Sequence, residues 1–299
     1  MSEEIKHKCG IALIRLLKPL EHYQLKYGTW KYGLQKLYLL MEKQRNRGQD
    51  GAGIVSCKFD MPPGEKYFNR NRSASSSAIN DLFKKMYNNF RKAERKFPGS
   101  INDAQWAKHN LPFVAELYLG HLRYGTFGSN SAENLHPVMR QNNWRTRNLV
   151  MAGNFNLTNV DELFDNLVEL GQYPNDYSDT VTILEKVGHF LDNENQRLFE
   201  HYKAKGYSNK DITDMIIHHL DVRKILYDAS KRWDGGYAIA GVFGHGDAFV
   251  MRDPWGIRPA YYYHDDEIAI VASERPVIQT VMDLKADQVQ EVPPGHSII

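Results

Sequence analysis

Between residues 237 and 272 four short apolar runs, at 237–243, 248–252, 260–263 and 268–272, follow one another with only turns between them. The breaks carry turn residues, Gly244-His245-Gly246-Asp247 and Asp253-Pro254-Trp255-Gly256, and no stretch between the runs is long enough for a helix. This purely β region constrains the fold more than any other part of the chain. Further strands are expected at 9–16, 51–58, 114–123 and 147–154. Helices are expected between them. Over 30–45, Leu34, Leu37, Tyr38 and Met41 fall at i, i+3, i+4 and i+7. Thr158 with Asp161 has the spacing of a capping box, opening a helix that runs to about Leu170. Residues 178–191 and 208–232 also have a helical pattern, and a last short helix begins at Ser273. The order is strands, helices, strands, with no repeat and no sharp linker. It predicts one α+β domain of two mainly antiparallel sheets with helices packed outside, rather than a doubly wound parallel sheet. Residues 59–112 stand apart. Pro62-Pro63-Gly64, Ser73-Ala74-Ser75-Ser76-Ser77 and a Lys/Arg-rich stretch around 81–95 suggest a surface insertion, whose basic side is more simply a solvated helix face than a dock for an acidic partner.

Composition removes several function classes. At 299 residues and 42% apolar, the chain can bury a large core. A formal net charge of +2 makes no electrostatic case for nucleic acid. Cys9 and Cys57 are the only cysteines, too few for a disulfide framework or the thiolates of an iron–sulfur cluster. No apolar run approaches the roughly 20 residues of a membrane-spanning helix, and residues 2–8 lack the apolar centre of a signal peptide. A reducing, cytoplasmic location is the expectation, with neither nucleic acid nor membrane as partner.

Chemistry concentrates in a few segments. Cys9 begins the run Cys9-Gly10-Ile11-Ala12-Leu13-Ile14. A cysteine this near the start of a chain, followed by a strand, suggests an N-terminal nucleophile whose own α-amine serves as base. Residues 1–8 stand in front of it, and while they remain its nitrogen is an amide. On residue type alone, a small buried hydrophobe is the plainer reading. In Arg47-Gly48-Gln49-Asp50-Gly51-Ala52-Gly53 the glycines allow tight turns and close backbone approach, and Arg47 offers a cation. The segment lacks the Lys-Ser/Thr ending of a phosphate-binding loop, and a simple turn is the alternative. In Gly120-His121-Leu122-Arg123-Tyr124, His121 and Arg123 share one side of a strand. Arg123 suits a carboxylate, whereas His121 alone is more often structural. His7, His121 and His136 have no metal-ligand spacing, and His218-His219 looks like helix surface, so no metal site is expected. In Gly153-Asn154-Phe155-Asn156-Leu157-Thr158-Asn159 an amide side chain and a backbone N–H can form an oxyanion hole, or simply an Asn-rich turn. Arg252 and Arg258 flank the Asp253-Pro254-Trp255-Gly256 turn, for which a structural hairpin is favoured.

In combination these segments, with Ser178-Asp179 and Arg252-Asp253-Pro254-Trp255-Gly256-Ile257-Arg258-Pro259, resemble class II glutamine amidotransferase domains, which are N-terminal nucleophile hydrolases. Tyr124 and the Gly-Ile-Arg-Pro run point to the pattern of amidophosphoribosyltransferase glutaminase domains. The resemblance implies a four-layer αββα fold over residues 9–299. It implies that Cys9 attacks the side-chain amide of glutamine. The α-amine, with a pKa of about 7.7–8.0, would take the thiol proton and pass it to leaving ammonia. A γ-glutamyl thioester would form, and water would release glutamate. Asn154, with the N–H of Phe155, would hold the oxyanion. Arg123 would bind the α-carboxylate of glutamine and Asp179 its α-ammonium. Arg47 would lie near the nucleophile, and Tyr124 and Thr126 would line the pocket. Ammonia would pass to a phosphoribosyltransferase domain, in the same or another chain, for phosphoribosylamine formation in purine biosynthesis. No cofactor is implied for this domain; Mg2+ is expected only with the phosphoribosyltransferase domain.

Three departures from the pattern matter. The usual run is Asn-Gly-Asn-Leu-Thr-Asn, and Phe155 stands at its Gly. A bulky residue resists positive φ, so a shifted loop is expected. The His that often precedes the Asn is replaced by Gly153. No phosphoribosyltransferase segment follows, so the expectation is one domain cut from a longer polypeptide, the alternative being a separate acceptor protein. Residues 1–8 are expected to be a propeptide, with the chain inactive until they are removed. Two other functions remain open: an ammonia donor to a sugar phosphate or aspartate, and a catalytically inactive glutamine-binding regulatory module. A homo-oligomer is compatible with these motifs but not required by them.

Overall fold

The structure, a computed structural model, describes residues 9–124, 135–174 and 176–299. Two sheets account for the strands. The first has seven, β1 (Gly10–Leu16), β2 (Gly51–Cys57), β3 (Phe68–Ser73), β4 (Leu117–Arg123), β9 (Tyr261–His264), β10 (Ile268–Ala272) and β11 (Gln290–Glu291), in the order β11-β9-β10-β1-β4-β2-β3. The second has β5 (Val138–Arg140), β6 (Leu149–Leu157), β7 (Gly235–Phe243), β8 (Ala248–Arg252) and β12 (Ser297–Ile298), in the order β12-β8-β7-β6-β5. The neighbours pair antiparallel, as the purely β region requires.

Three apolar clusters define the layers. In β1, Ala12, Ile14 and Leu16 face one cluster, which they share with α1 (Leu20–Tyr27), α2 (Tyr32–Lys43), α3 (Ala78–Lys96), α4 (Ala104–Asn110) and α9 (Arg275–Met282). The alternate residues Ile11 and Leu13 face a second cluster, which also takes Val150 and Ala152 of β6 and Ala238 and Ala240 of β7. Leu149 and Met151, on the other face of β6, join a third with α5 (Val160–Glu169), α6 (Asp179–Ala204), α7 (Asn209–His219) and α8 (Val222–Ser230). The architecture is therefore αββα. The period-2 alternation of strands also aims the site. Cys9 lies two residues before Ile11, and Asn154 two after Ala152, so both are in phase with the space between the sheets.

Some local expectations change. Residues 59–112 are built into the first layer rather than laid over it. β3 pairs along β2, and α3 buries Ala78, Ile79, Leu82, Phe83, Met86 and Phe90 against the same cluster as α2. The capping box does not form. Thr158 Oγ1 bonds Asp234 instead, and the helix starts after Asn159, whose side chain is tied to Arg232 O (2.8 Å) and to the N–H of Asp234 (3.2 Å). α6 continues well past 191, because Glu194, Leu198 and Tyr202 stay buried along one side.

Candidate active site

Cys9 sits immediately before β1, and the backbone on both sides of Gly10 is anchored. Arg47 ends the short 3-10 turn Arg45–Arg47 that follows α2. Its Nε donates to the carbonyl of Cys9 at 3.2 Å, and its Nη1 pairs with Glu274 Oε1 at 3.2 Å. The Ile11 N–H donates to Ser273 Oγ at 3.0 Å, and the Ile11 carbonyl accepts from Gln44 Nε2 at 2.9 Å. Arg47 thus grips the backbone of Cys9 itself. The thiol is partly buried, and burial pushes its pKa up. A backbone hydrogen bond from Tyr124 and the charges of Arg123, Arg258 and Arg47 work in the other direction. A thiol raised by desolvation needs a base at the moment of attack, which suits a nucleophile that carries its own amine.

Arg123 ends β4 in register with Gly51 of β2, on the same side of the strand as Leu119 and His121. Asp179 opens α6, where Ser178 Oγ accepts from the Val181 N–H at 3.3 Å. Burial raises the Asp179 carboxyl, while bonds from the Thr180 N–H (2.6 Å) and Oγ1 (3.2 Å) and the charge of Arg123 lower it. The structure therefore brings an arginine and an aspartate into one electrostatic neighbourhood, suited to the two charged ends of an α-amino acid.

Asn154 is 2% exposed, and among the described residues its buried Nδ2 has no hydrogen-bond partner. An unmatched buried donor is expensive, and here it lies on the β6 face that looks toward the sheet containing β1. Phe155 pairs with Tyr237 of β7. Tyr237, however, turns its backbone to β8: its N–H donates to Asp253 Oδ2 at 3.2 Å, and its carbonyl accepts from the Asp253 N–H at 2.8 Å. The alternation of an antiparallel ladder then points the Phe155 N–H away from β7, along the same strand edge as Gly153. Phe155 takes up no positive φ. β6 runs unbroken through Phe155, and among the described residues the non-glycine ones with positive φ are Asp60, Phe113 and Asp283.

Among the other expected residues, Tyr124 lies beside Cys9 through its backbone, while Thr126 lies outside the described residues. The two arginines of the Asp-Pro turn separate in role. Arg252 fastens the turn, donating to Arg258 O (2.6 Å), Val292 O (2.7 Å) and Gly256 O (2.8 Å). Asp253 is wholly buried and accepts from the N–H groups of Trp255, Ile257 and Arg258 as well as Tyr237. Arg258 is buried close enough to Cys9 for the two to perturb one another. The Gly-Ile-Arg-Pro run was the signal for it. A cavity of about 420 Å³ lined by Arg70, Arg72, Val138, Tyr173 and Asp176 opens beyond β3 and does not include Cys9. Among the described residues, no group of His, Cys, Asp and Glu could hold a metal ion, and no helix is long and apolar enough to cross a membrane.

A family model for a glutamine amidotransferase domain matches residues 191–280, and the motifs resemble those of class II, N-terminal nucleophile amidotransferases. The particular relatives are amidophosphoribosyltransferases. The Escherichia coli (strain K12) protein of that name is 28% identical over 271 residues, 88% of this chain and 43% of the relative. The Bacillus subtilis (strain 168) protein is 25% identical over 280 residues, 91% of this chain and 45% of the relative. The solved glutamine phosphoribosylpyrophosphate amidotransferase of B. subtilis, complexed with ADP and GMP, superposes with a TM-score of 0.59 at 21% identity. That match covers 97% of this chain and 46% of the other, and it supports the fold. The chain thus spans less than half the length of the curated relatives it matches.

Proposed function

We propose that this domain is a glutaminase that hydrolyses glutamine to glutamate and ammonia through a Cys9 thioester. The observation that carries the reading is the buried Nδ2 of Asn154, which has no partner among the described residues and is set across the gap between the sheets in phase with Cys9. Nothing in folding alone favours an unmatched donor there; a tetrahedral oxyanion would match it. Arg123 and Asp179 would bind the α-carboxylate and α-ammonium of glutamine. The side-chain carbonyl would then lie against Cys9, with Asn154 Nδ2 and the Phe155 N–H stabilising the charge that develops on its oxygen. Arg47 would hold the Cys9 carbonyl, and hence the angle of attack. The α-amine would accept the thiol proton and deliver it to ammonia, so residues 1–8 must be removed first.

The ammonia acceptor is proposed from the relatives: a phosphoribosyltransferase domain, in the same or another chain, forming phosphoribosylamine in cytoplasmic purine synthesis, with Mg2+ needed there and no cofactor here. A sugar phosphate or aspartate as acceptor is the second reading, distinguished by which acceptor takes up 15N from labelled glutamine. The primary test uses protein whose residue 1–8 segment is replaced by a cleavable tag leaving Cys9 first. Glutamate should be released from glutamine, with a thioester adduct in intact mass and no release by Cys9→Ala. A Cys9-first protein that binds glutamine but never turns it over would support the inactive regulatory module instead.

A further inference from the structure

Beneath the oxyanion strand lies a pair of histidines that this reaction scheme does not use. Gly153, the residue before Asn154, has both backbone groups directed at them. Its N–H donates to His136 Nδ1 at 3.2 Å, and its carbonyl lies 3.0 Å from His121 Nε2. The other nitrogen of His136, Nε2, is 3.0 Å from Thr180 Oγ1, and that hydroxyl is 3.2 Å from Asp179 Oδ1. Both histidine rings are buried, with centroids 4.5 Å apart, and Phe155 stacks on His136 at 5.5 Å.

The proton positions follow from the partners. A peptide N–H can only donate, so His136 Nδ1 is the acceptor and its proton is on Nε2. Nε2–H then donates to Thr180 Oγ1, which leaves the threonine hydroxyl to donate to Asp179. A carbonyl can only accept, so His121 also carries its proton on Nε2. Every bond in the series Gly153, His136, Thr180, Asp179 thus runs in one direction and ends on a carboxylate. The His136 ring must be neutral for this. Burial and the neighbouring charges of Arg123 and Arg72 lower the pKa of His136 to about 4, and burial beside His136 holds that of His121 well below its usual value.

Two glycines make room for the series. A Cβ on Gly53 of β2 would lie 2.0 Å from the His136 carbonyl, so only glycine lets that backbone approach the strand. A Cβ on Gly153 would meet the Phe155 ring at 2.6 Å, the same ring that covers His136. Bulk at 155 and its absence at 153 are one arrangement.

We propose that His136 is a positioning residue for this site, joining the carboxylate expected to bind the substrate ammonium to the strand that carries the oxyanion donors. The relay sets the two ends of the substrate against each other: a shift of α6 at Asp179 is transmitted through Thr180 and His136 to Gly153, and so to Asn154 and Phe155. The inference rests on the glutaminase reading, and its test separates the two.

In Cys9-first protein, His136→Leu should lower kcat for glutamine hydrolysis at least tenfold. His136→Gln, which can accept from Gly153 and donate to Thr180, should recover kcat to within about threefold. Thr180→Val cuts only the arm to Asp179, and should raise KM several-fold with a smaller change in kcat. A merely structural histidine would give losses that follow melting temperature, with no such division between kcat and KM. His136→Leu retaining kcat within twofold, or His136→Gln as impaired as His136→Leu, overturns the proposal. Nitrogen-15 NMR of the parent protein reads the relay without any turnover. His136 should be the neutral Nε2–H tautomer at pH 7, and the Nδ1–H form overturns the relay. An inactive parent that shows the expected tautomer would instead refute the glutaminase reading and leave the relay standing as a hydrogen-bond series.

Discussion

Asn154→Leu is the most informative single change, because it should move activity and stability in opposite directions. Leucine has the branched outline of asparagine and no polar atoms. Asn154 is 2% exposed and its Nδ2 finds no acceptor among the described residues, so on this reading the wild-type fold carries the cost of an unmatched buried donor, about 1–3 kcal/mol. Replacing it by a methyl group of the same shape removes that cost. At roughly 2 °C per kcal/mol for a domain of this size, the variant should melt no lower than the parent and as much as about 6 °C higher. The same amide is assigned to the oxyanion, where one donor contributes a factor of about 100–1,000 in kcat, or roughly 3–4 kcal/mol. Differential scanning calorimetry and glutamate release should therefore diverge, as expected where function is maintained against stability. A drop in melting temperature of several degrees would show that the amide is held by a partner in the native fold. Glutaminase activity within tenfold of the parent would show that it does not face the oxyanion. Either result refutes the reasoning.

Other outcomes follow from particular neighbourhoods. Arg123→Ala, measured by calorimetric titration of glutamine into a Cys9→Ala background, should weaken binding by about 2–5 kcal/mol; unchanged affinity would misplace the pocket. Cys57 is buried between the sheets with its thiol pushed up to about 12, so Cys57→Ala should leave kcat/KM within twofold, and iodoacetamide at pH 8 should label Cys9 alone. Burial lowers the Lys58 ammonium to about 8, so between pH 8 and 10.5 the unfolded chain binds more protons there than the folded one. Its contribution to stability must rise across that window. The stability of parent relative to Lys58→Met, from urea titrations, should increase from pH 8 to 10; a flat difference would contradict the assignment.

Strand periodicity and turn residues were enough to place the four C-terminal strands and the antiparallel packing, because each run is short and bounded by Gly, Pro or Asp. β3 escaped notice. Its sequence, Phe68-Asn69-Arg70-Asn71-Arg72-Ser73, is polar because it is an edge strand of the first sheet, where charge discourages pairing with another chain. α1 was also hidden, since only Leu20 and Tyr23 of its eight residues are buried. The end of α6 was missed because Glu194 is a buried acid matched by Arg197 at 2.6 Å, and such a pair reads as surface from sequence. Cys9, Arg47, Arg123 and Asn154 became candidates only in combination, through the motif resemblance, since each segment alone had a plain structural reading. His136 and Thr180 did not: they are 44 residues apart, and only the fold brings them within 3.0 Å.

The close contact of Gly153 with the Phe155 ring restricts how such a site can have diverged. A side chain at 153 and a ring at 155 would occupy the same volume, so the two positions cannot change independently. With the Phe155 ring where it lies, a route from the usual His-Asn-Gly to Gly153-Asn154-Phe155 passes through a form small at both positions. In that form His136 would have lost the ring that covers it. The order of substitutions is therefore set by sterics: bulk leaves 153 before it arrives at 155, and reversal must retrace the same step.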